Sequence, residues 1–111
     1  MRVDAKATFE ALQKHGILVD DGFGGKWDIV KVREDGKAVV KEVGGNRVYL
    51  LALTRVYPVA PPHPSLAWSV EVRFDAVTGE NLEDLQVDYN GKRWANWIGV
   101  PPHIYRELGW R

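Results

Sequence analysis

Residues 47–57, Arg-Val-Tyr-Leu-Leu-Ala-Leu-Thr-Arg-Val-Tyr, decide which kind of fold this chain can adopt. The six residues from Val48 to Leu53 are all apolar, and Gly44-Gly45 and Pro58 bound the stretch. This length and these flanking residues predict a strand rather than a helix. Because side chains alternate between the two faces of a strand, we expect one face to carry Val48, Leu50, Ala52 and Val56, and the other Tyr49, Leu51, Leu53 and Tyr57.

A strand that is apolar on both faces must be covered on both, so this strand is expected to be central in its sheet. A single helix can cover only one of the two faces. We therefore expect either a sheet that curls round onto itself or a second chain that supplies the missing cover.

One substantial helix is predicted, from Asp4 to His15. Asp4 can accept hydrogen bonds from the free amides of the first turn, and Gly16 is a stop signal. Phe9 and Leu12 form a narrow apolar stripe, so the helix should pack on the sheet.

The remaining segments predict further antiparallel strands. The segments Trp27–Arg33 and Ala38–Val43 flank the turn residues Asp35-Gly36, and with the central strand they predict a meander. Trp68–Asp75 alternates, with Ser69, Glu71, Arg73 and Asp75 expected on a wet face. Asn90-Gly91 predicts a hairpin that joins a strand at residues 85–89 to a partner at Lys92–Ile98. The segment Pro58–Ser65 is rich in proline and is interpreted as a crossover, and His103–Leu108 predicts a helical turn.

Together these elements predict an α+β fold, with residues 1–111 as a single domain. The N-terminal helix packs on a strongly curved antiparallel sheet of about six strands, and a short helical turn follows at the C-terminal end. A cystatin-like wrap of sheet around helix and a half-open barrel both satisfy the pattern.

Composition limits the classes of function. Fifteen basic and fifteen acidic residues balance, so no overall field attracts nucleic acid or an anionic membrane, and neither is an expected partner. Cysteine is absent from the sequence, which excludes disulfides, thiolate metal sites and a cysteine nucleophile. No signal-peptide or membrane-spanning pattern is present, so we expect a soluble, cytoplasmic protein.

Metal and cofactor sites are not expected. The histidines, His15, His63 and His103, lack the spacing of a zinc site, and His15 is explained by its place at a helix end. Gly22-Phe23-Gly24-Gly25 precedes a strand rather than a helix, so it is interpreted as a flap with Phe23 at its tip and not as a phosphate site.

The tryptophans are the strongest clue to a binding surface. The sequence contains five, and the aromatic residues near the C-terminus are interleaved with basic ones. Such a surface can stack a base, a sugar or a partner's side chain. The candidate binding residues are Tyr89, Arg93, Trp94, Trp97, His103, Tyr105 and Trp110. The alternative is that Trp97 and Trp110 close the core.

Two functional hypotheses follow, and nucleic-acid binding by the positively charged C-terminal segment, which should fall steeply with salt, is a third option. The first is a small, soluble, non-enzymatic protein that uses this aromatic and basic surface to hold a protein partner or an apolar ligand, with a homodimer as one form. The second is a small enzyme with an acid–base site in the concave face of the sheet. Its candidate residues are Asp28, Asp88 and His103, with Tyr49 or Tyr57 orienting the substrate.

Overall fold

The computed structural model describes residues 3–58, 68–78, 85–87 and 93–110. The described residues contain the helices α1 (Ala5–Lys14) and α2 (Pro102–Glu107). The strands are β1 (Val19–Asp20), β2 (Lys26–Val32), β3 (Ala38–Glu42), β4 (Val48–Pro58), β5 (Trp68–Thr78), β6 (Gln86–Val87) and β7 (Arg93–Val100). Within these ranges, no helix is long and apolar enough to cross a membrane.

Helix α1 has the cap and the buried stripe that its sequence predicts. The Asp4 carboxylate accepts a hydrogen bond from the Ala7 amide at 3.1 Å, and the chain leaves the helix through Gly16 at φ 68°. Phe9 and Leu12 are fully buried against the sheet. The apolar stripe therefore stabilises a short helix that would be marginal alone.

The sheet is antiparallel, with the strand order β1-β2-β3-β4-β5-β7, and β6 pairs with the far end of β5. The predicted meander is confirmed, because β2, β3 and β4 are successive neighbours. Strands β4 and β5 are also hydrogen-bonded neighbours, so the proline-rich connection between them is not a crossover. Residues 59–65 of that connection lie outside the described residues.

The predicted hairpin between residues 85–89 and Lys92–Ile98 is wrong. Strands β6 and β7 both pair antiparallel with β5, with Val87 opposite Val77 and Arg93 opposite Asp75. The two strands therefore run in the same direction along one long neighbour and cannot pair as hairpin arms. The turn residues Asn90-Gly91 lie outside the described residues.

The sheet curls until its two end strands approach each other. The Asn96 side-chain amide on β7 donates a hydrogen bond to the Asp20 carbonyl on β1. Irregular pairing between Ile29 and Lys31, and between Leu53 and Arg55, marks β-bulges, which bend a strand and increase its twist. The predicted α+β fold with a curved antiparallel sheet is confirmed, and the sheet is open, because β1 and β7 are not paired as strands among the described residues. Strand β1 was not predicted.

The central strand is buried on both sides, but only over its first half. Leu50 and Leu51 point to opposite faces, and both are fully buried. After the bulge the alternation is reversed, so Val56 lies opposite Val70 and Tyr57 opposite Ser69. The face assignment of Val56 and Tyr57 is therefore wrong, because one extra residue in a strand moves every later side chain to the other face.

The hydrophobic core lies on the inner face of the curved sheet. Its buried members include Phe9, Leu12, Val19, Trp27, Ile29, Val40, Leu51, Val70, Val72, Phe74, Ile98, Val100, Ile104 and Trp110. The outer face is not uniformly wet, which corrects the prediction for β5. Asp75 is fully buried there beside Leu50, and it accepts from Arg73 Nε at 2.8 Å and Arg73 Nη2 at 3.0 Å. This two-point pairing compensates the buried charge.

Candidate functional site

A cleft of about 490 Å³ opens on the inner side of the sheet, beside the loop at residues 21–25. Its volume lies within the range of small-molecule sites in proteins. Strands β2, β4 and β7, the loop between β1 and β2, and the turn before β4 supply its lining. The lining residues are Asp21, Phe23, Gly25, Trp27, Arg47, Tyr49 and Trp94.

Three aromatic rings form the wall of the cleft. Trp27 on β2 and Trp94 on β7 flank Tyr49 on β4, and each packs edge-to-face against the tyrosine ring. The Trp27–Tyr49 centroids are 4.9 Å apart at 75°, and the Tyr49–Trp94 centroids are 5.0 Å apart at 79°. Both indoles therefore contact one phenol ring at the cleft, and we call these three rings the aromatic box.

Phe74 packs against the rings of the aromatic box. Its ring is fully buried and stacks on Trp94 with a centroid separation of 4.8 Å and an interplanar angle of 4°. Phe74 also lies 5.9 Å from Trp27. Phe74 on β5 and Trp94 on β7 are directly opposite each other in the strand pairing, and this register holds the two rings together. The orientation of Trp94 is thus set by the sheet.

One buried donor at the wall is left without an acceptor. Among the described residues, Trp94 Nε1 is buried and makes no hydrogen bond. An indole nitrogen can only donate, and leaving such a group unsatisfied costs about 1–3 kcal/mol. An acceptor on a water molecule or on a ligand in the cleft would remove this cost.

Asp21 organises the loop that borders the cleft. Its carboxylate accepts from the Phe23 amide at 2.8 Å, the Gly25 amide at 3.0 Å and Trp27 Nε1 at 3.1 Å. A side chain at Gly25 would overlap the Asp21 carboxylate, so glycine is required there for close approach. The loop is therefore built around one carboxylate, and it presents Phe23 with 83% of its surface exposed.

The same contacts keep the Asp21 carboxylate ionised. Desolvation acts to raise the pKa of Asp21, but the hydrogen bonds from Trp27, Phe23 and Gly25 outweigh it and lower the pKa below its ordinary value. Donors that point at a carboxylate favour its charged form. Because its pKa is lowered, Asp21 keeps a negative charge at the edge of the cleft at neutral pH.

Arg47 crosses the other edge of the cleft. Its guanidinium lies 5.7 Å from the centroid of the Trp27 ring, and its Nε and Nη2 both donate to Glu42 Oε2. The Arg47 side chain remains 65% exposed. A cation therefore rests on one wall of the aromatic box, held by an ion pair at the surface.

The structure distributes the predicted binding residues over several sites. Trp94 lines the cleft, whereas Trp97 lies on the outer face of the same strand, 45% exposed and 4.6 Å from Tyr57. Trp110 is only 5% exposed and packs against Trp68 in the core. These three tryptophans therefore do not share a surface.

The other predicted binding residues lie elsewhere. His103 and Tyr105 belong to α2, where the His103 ring contacts the His15 ring at 4.9 Å. Tyr89 lies outside the described residues, and only the backbone of Arg93 is described.

The candidate catalytic residues are not gathered on the inner face either. Asp28 is exposed, and it lies between the core residues Trp27 and Ile29, so it points to the outer face. Asp88 lies outside the described residues. Of the two tyrosines, Tyr49 lines the cleft, whereas Tyr57 is on the outer face. The cleft carboxylate is Asp21, which was not among the candidate residues predicted from the sequence.

A histidine and a carboxylate, His15 and Glu107, lie in contact between α1 and α2. His15 Nε2 lies 2.7 Å from Glu107 Oε2, and Lys14 Nζ lies 2.6 Å from Glu107 Oε1. Within the described residues, however, no group of three His, Cys, Asp or Glu side chains is arranged to hold a metal ion. This cluster ties α1 to α2.

Comparison of the chain with protein-family models, curated proteins and solved structures returned no match.

Proposed function

We propose that this protein binds a small organic molecule in the aromatic cleft and acts as a binding protein. The observation that carries the proposal is the convergence of Trp27, Tyr49 and Trp94 from three strands around a space of about 490 Å³. Aromatic walls with few polar groups are the usual lining of a small-molecule site. Phe23, exposed at the tip of the bordering loop, is placed to cover a ligand that enters.

The chemistry of the cleft favours binding over proton transfer. A general acid or base works best when its pKa lies near the operating pH. The pKa of Asp21 is instead lowered, and its carboxylate is occupied by three N–H donors. Asp21 therefore supplies a fixed charge and a fixed loop conformation rather than a mobile proton.

Tryptophan fluorescence tests this proposal. A panel of small apolar and aromatic compounds is titrated into the wild-type protein, Trp94→Leu and Trp97→Leu. The two tryptophans lie on opposite faces of β7, so they form a matched pair. Saturable binding that weakens in Trp94→Leu and persists in Trp97→Leu supports the cleft. If no compound binds saturably, or if both variants lose binding equally, the proposal is wrong.

A second candidate function is self-association through the outer face. Trp97 is 45% exposed there, with Tyr57 at 4.6 Å. Beside them Arg55 and Glu71 lie directly opposite each other on β4 and β5. A two-fold interface requires a self-complementary surface, and adjacent opposite charges around an apolar centre meet that requirement. The balanced net charge also imposes no overall repulsion between copies.

Light scattering over a concentration series tests the second candidate. A mass that rises to twice that of the chain in the wild-type protein, and stays monomeric in Trp97→Ala, supports self-association. A strictly monomeric wild-type protein contradicts it and leaves the cleft proposal unaffected.

A further inference from the structure

We infer that the ligand of the aromatic cleft carries a positive charge, on a quaternary or methylated ammonium group. This inference rests on the proposed binding function and adds the chemical class of the ligand. Three features of the cleft support it: the aromatic lining, the position of Arg47 and the Asp21 carboxylate, which makes no ion pair within the described ranges.

The aromatic box gives the cleft a lining that can attract such a cation. The face of an aromatic ring carries negative electrostatic potential, and a cation within about 6 Å of the ring centroid is attracted to it. Trp27, Tyr49 and Trp94 all line the cleft, so a cation that enters it meets aromatic side chains from three strands. A rounded group with charge spread over its surface can contact several such side chains at once, whereas a flat ligand contacts fewer.

Arg47 already occupies part of this site as an internal cation. Its guanidinium lies over the Trp27 ring at 5.7 Å, and Trp27 is only 1% exposed. The Arg47 side chain is 65% exposed and is anchored by Glu42. The Glu42 side chain is 20% exposed, but the Arg47 end of the pair is mostly in water, so the guanidinium can leave the ring without being desolvated. The protein thus contains a displaceable cation at the position assigned to the ligand's charge.

In the part of the chain that the structure describes, one carboxylate of the cleft makes no ion pair, although the charge of Arg47 acts on it from the other edge. Asp20 is paired with Lys26, and Glu42 with Arg47. Among the described residues, Asp21 is bound only by uncharged N–H groups, although it is 8% exposed and ionised. A largely buried charge is stabilised by an opposite charge nearby. A cationic ligand in the cleft would supply that charge in place of Arg47 when the Arg47 side chain moves aside.

The aromatic lining of the cleft favours a methylated ammonium group over a primary one. A primary ammonium is strongly hydrated and needs acceptors for three N–H groups. The aromatic box offers ring faces, and the Asp21 carboxylate is the nearby acceptor. A methylated ammonium spreads its charge over apolar methyl groups, so it has less hydration to lose when it enters the cleft.

The test compares three probes of nearly equal shape by calorimetry or by NMR titration: choline, the neutral isostere 3,3-dimethylbutan-1-ol, and the anion 3,3-dimethylbutanoate. We expect choline to bind at least about tenfold more tightly than the neutral isostere, and the anion to bind most weakly. Arg47→Gln removes the competing cation, so it should tighten choline binding about tenfold and leave the neutral probe little changed. Lys41→Gln, a change on the outer face, is the matched control.

The outcomes separate this inference from the proposed function. If the neutral isostere binds as tightly as choline, or if Arg47→Gln weakens choline binding, the cation inference is wrong while the cleft remains a binding site. If the anion binds best, Arg47 is a ligand-binding residue and the inference is likewise overturned. If neither these probes nor any compound of the fluorescence panel binds saturably, the proposed function itself fails.

Discussion

The side-chain amide of Asn96 donates a hydrogen bond to the backbone carbonyl of Asp20, and this contact joins the two ends of the curved sheet. Asn96 lies on β7 and faces inward with Val72, its partner on β5. Asp20 lies on β1, immediately before the loop that borders the cleft. The closure of the sheet and the position of the loop therefore depend on a common contact.

Replacement of Asn96 by alanine should loosen this closure. We expect a loss of about 0.5–1.5 kcal/mol in the free energy of unfolding, the usual contribution of one hydrogen bond. Hydrogen exchange should accelerate in the amides of residues 19–27 but not in those of β4 and β5. Asn46→Ala, at an exposed turn position, is the control. Unchanged exchange in residues 19–27 would show that β1 is held without Asn96.

Asp21→Asn should destabilise the loop and change the dependence of stability on pH. An asparagine amide presents N–H groups where the carboxylate accepts from Trp27 or from the backbone, so we expect a loss of about 1–3 kcal/mol at neutral pH. Since the pKa of Asp21 is lowered on folding, its stabilisation is present above the ordinary aspartate pKa and is lost as pH falls through the folded value.

Urea unfolding of the wild-type protein and Asp21→Asn at a series of pH values measures this effect. The difference in the free energy of unfolding should be largest near neutral pH and shrink under acid conditions. A difference that is independent of pH would mean that charge on Asp21 does not contribute to folding.

Trp110→Ala and Trp97→Ala should differ sharply in stability. Trp110 is 5% exposed and packs on Trp68, so its removal leaves a cavity and should cost about 3–5 kcal/mol. Trp97 is 45% exposed, and its removal should cost less than about 1 kcal/mol. Thermal unfolding compares the two variants directly. Equal losses would contradict the assignment of Trp97 to the outer surface.

Gly25→Ala should disturb the cleft more than Gly45→Ala. A methyl group at Gly25 would overlap the carboxylate of Asp21, which is short and held by three donors. At Gly45 the overlap is with the end of the longer Glu42 side chain, which can move. We therefore expect Gly25→Ala to lower the melting temperature and to shift the tryptophan emission of Trp27. Identical spectra for the two variants would argue against a loop built on Asp21.

Glu107→Gln should weaken the contact between the helices. Hydrogen bonds from Lys14 and then from His15 lower the pKa of Glu107, so this contribution is present above the ordinary glutamate pKa and is lost as pH falls through the folded value. We expect a small fall in melting temperature near neutral pH that disappears in acid. Glu10→Gln, whose carboxylate lies 3.9 Å from Lys6, is the control for loss of an exposed charge.

Elements with local causes could be predicted from the sequence. Helix α1 could be predicted from the Asp4 cap, the Gly16 stop signal and the spacing of Phe9 and Leu12. All of these signals lie within a few turns of helix. The double burial of Leu50 and Leu51 followed from an apolar run that no single layer can cover. The hairpin at Asn90-Gly91 was predicted wrongly, because turn propensity cannot show that β5 is long enough to pair with both β6 and β7.

By itself, the amino-acid sequence determined the α+β class, the central strand and the need to cover both of its faces, because these depend on periodicity and on the burial of nearby apolar side chains. Only the tertiary structure decided where the bulge after Leu53 reverses the alternation, that Trp110 is core while Trp97 is surface, and that Asp21 and Arg47 border one cleft. Trp27, Tyr49 and Trp94 lie far apart along the chain, and they meet because strand register and sheet curvature bring their side chains to one inner face. Register and curvature result from the packing of the whole sheet, and they cannot be predicted from a local sequence pattern.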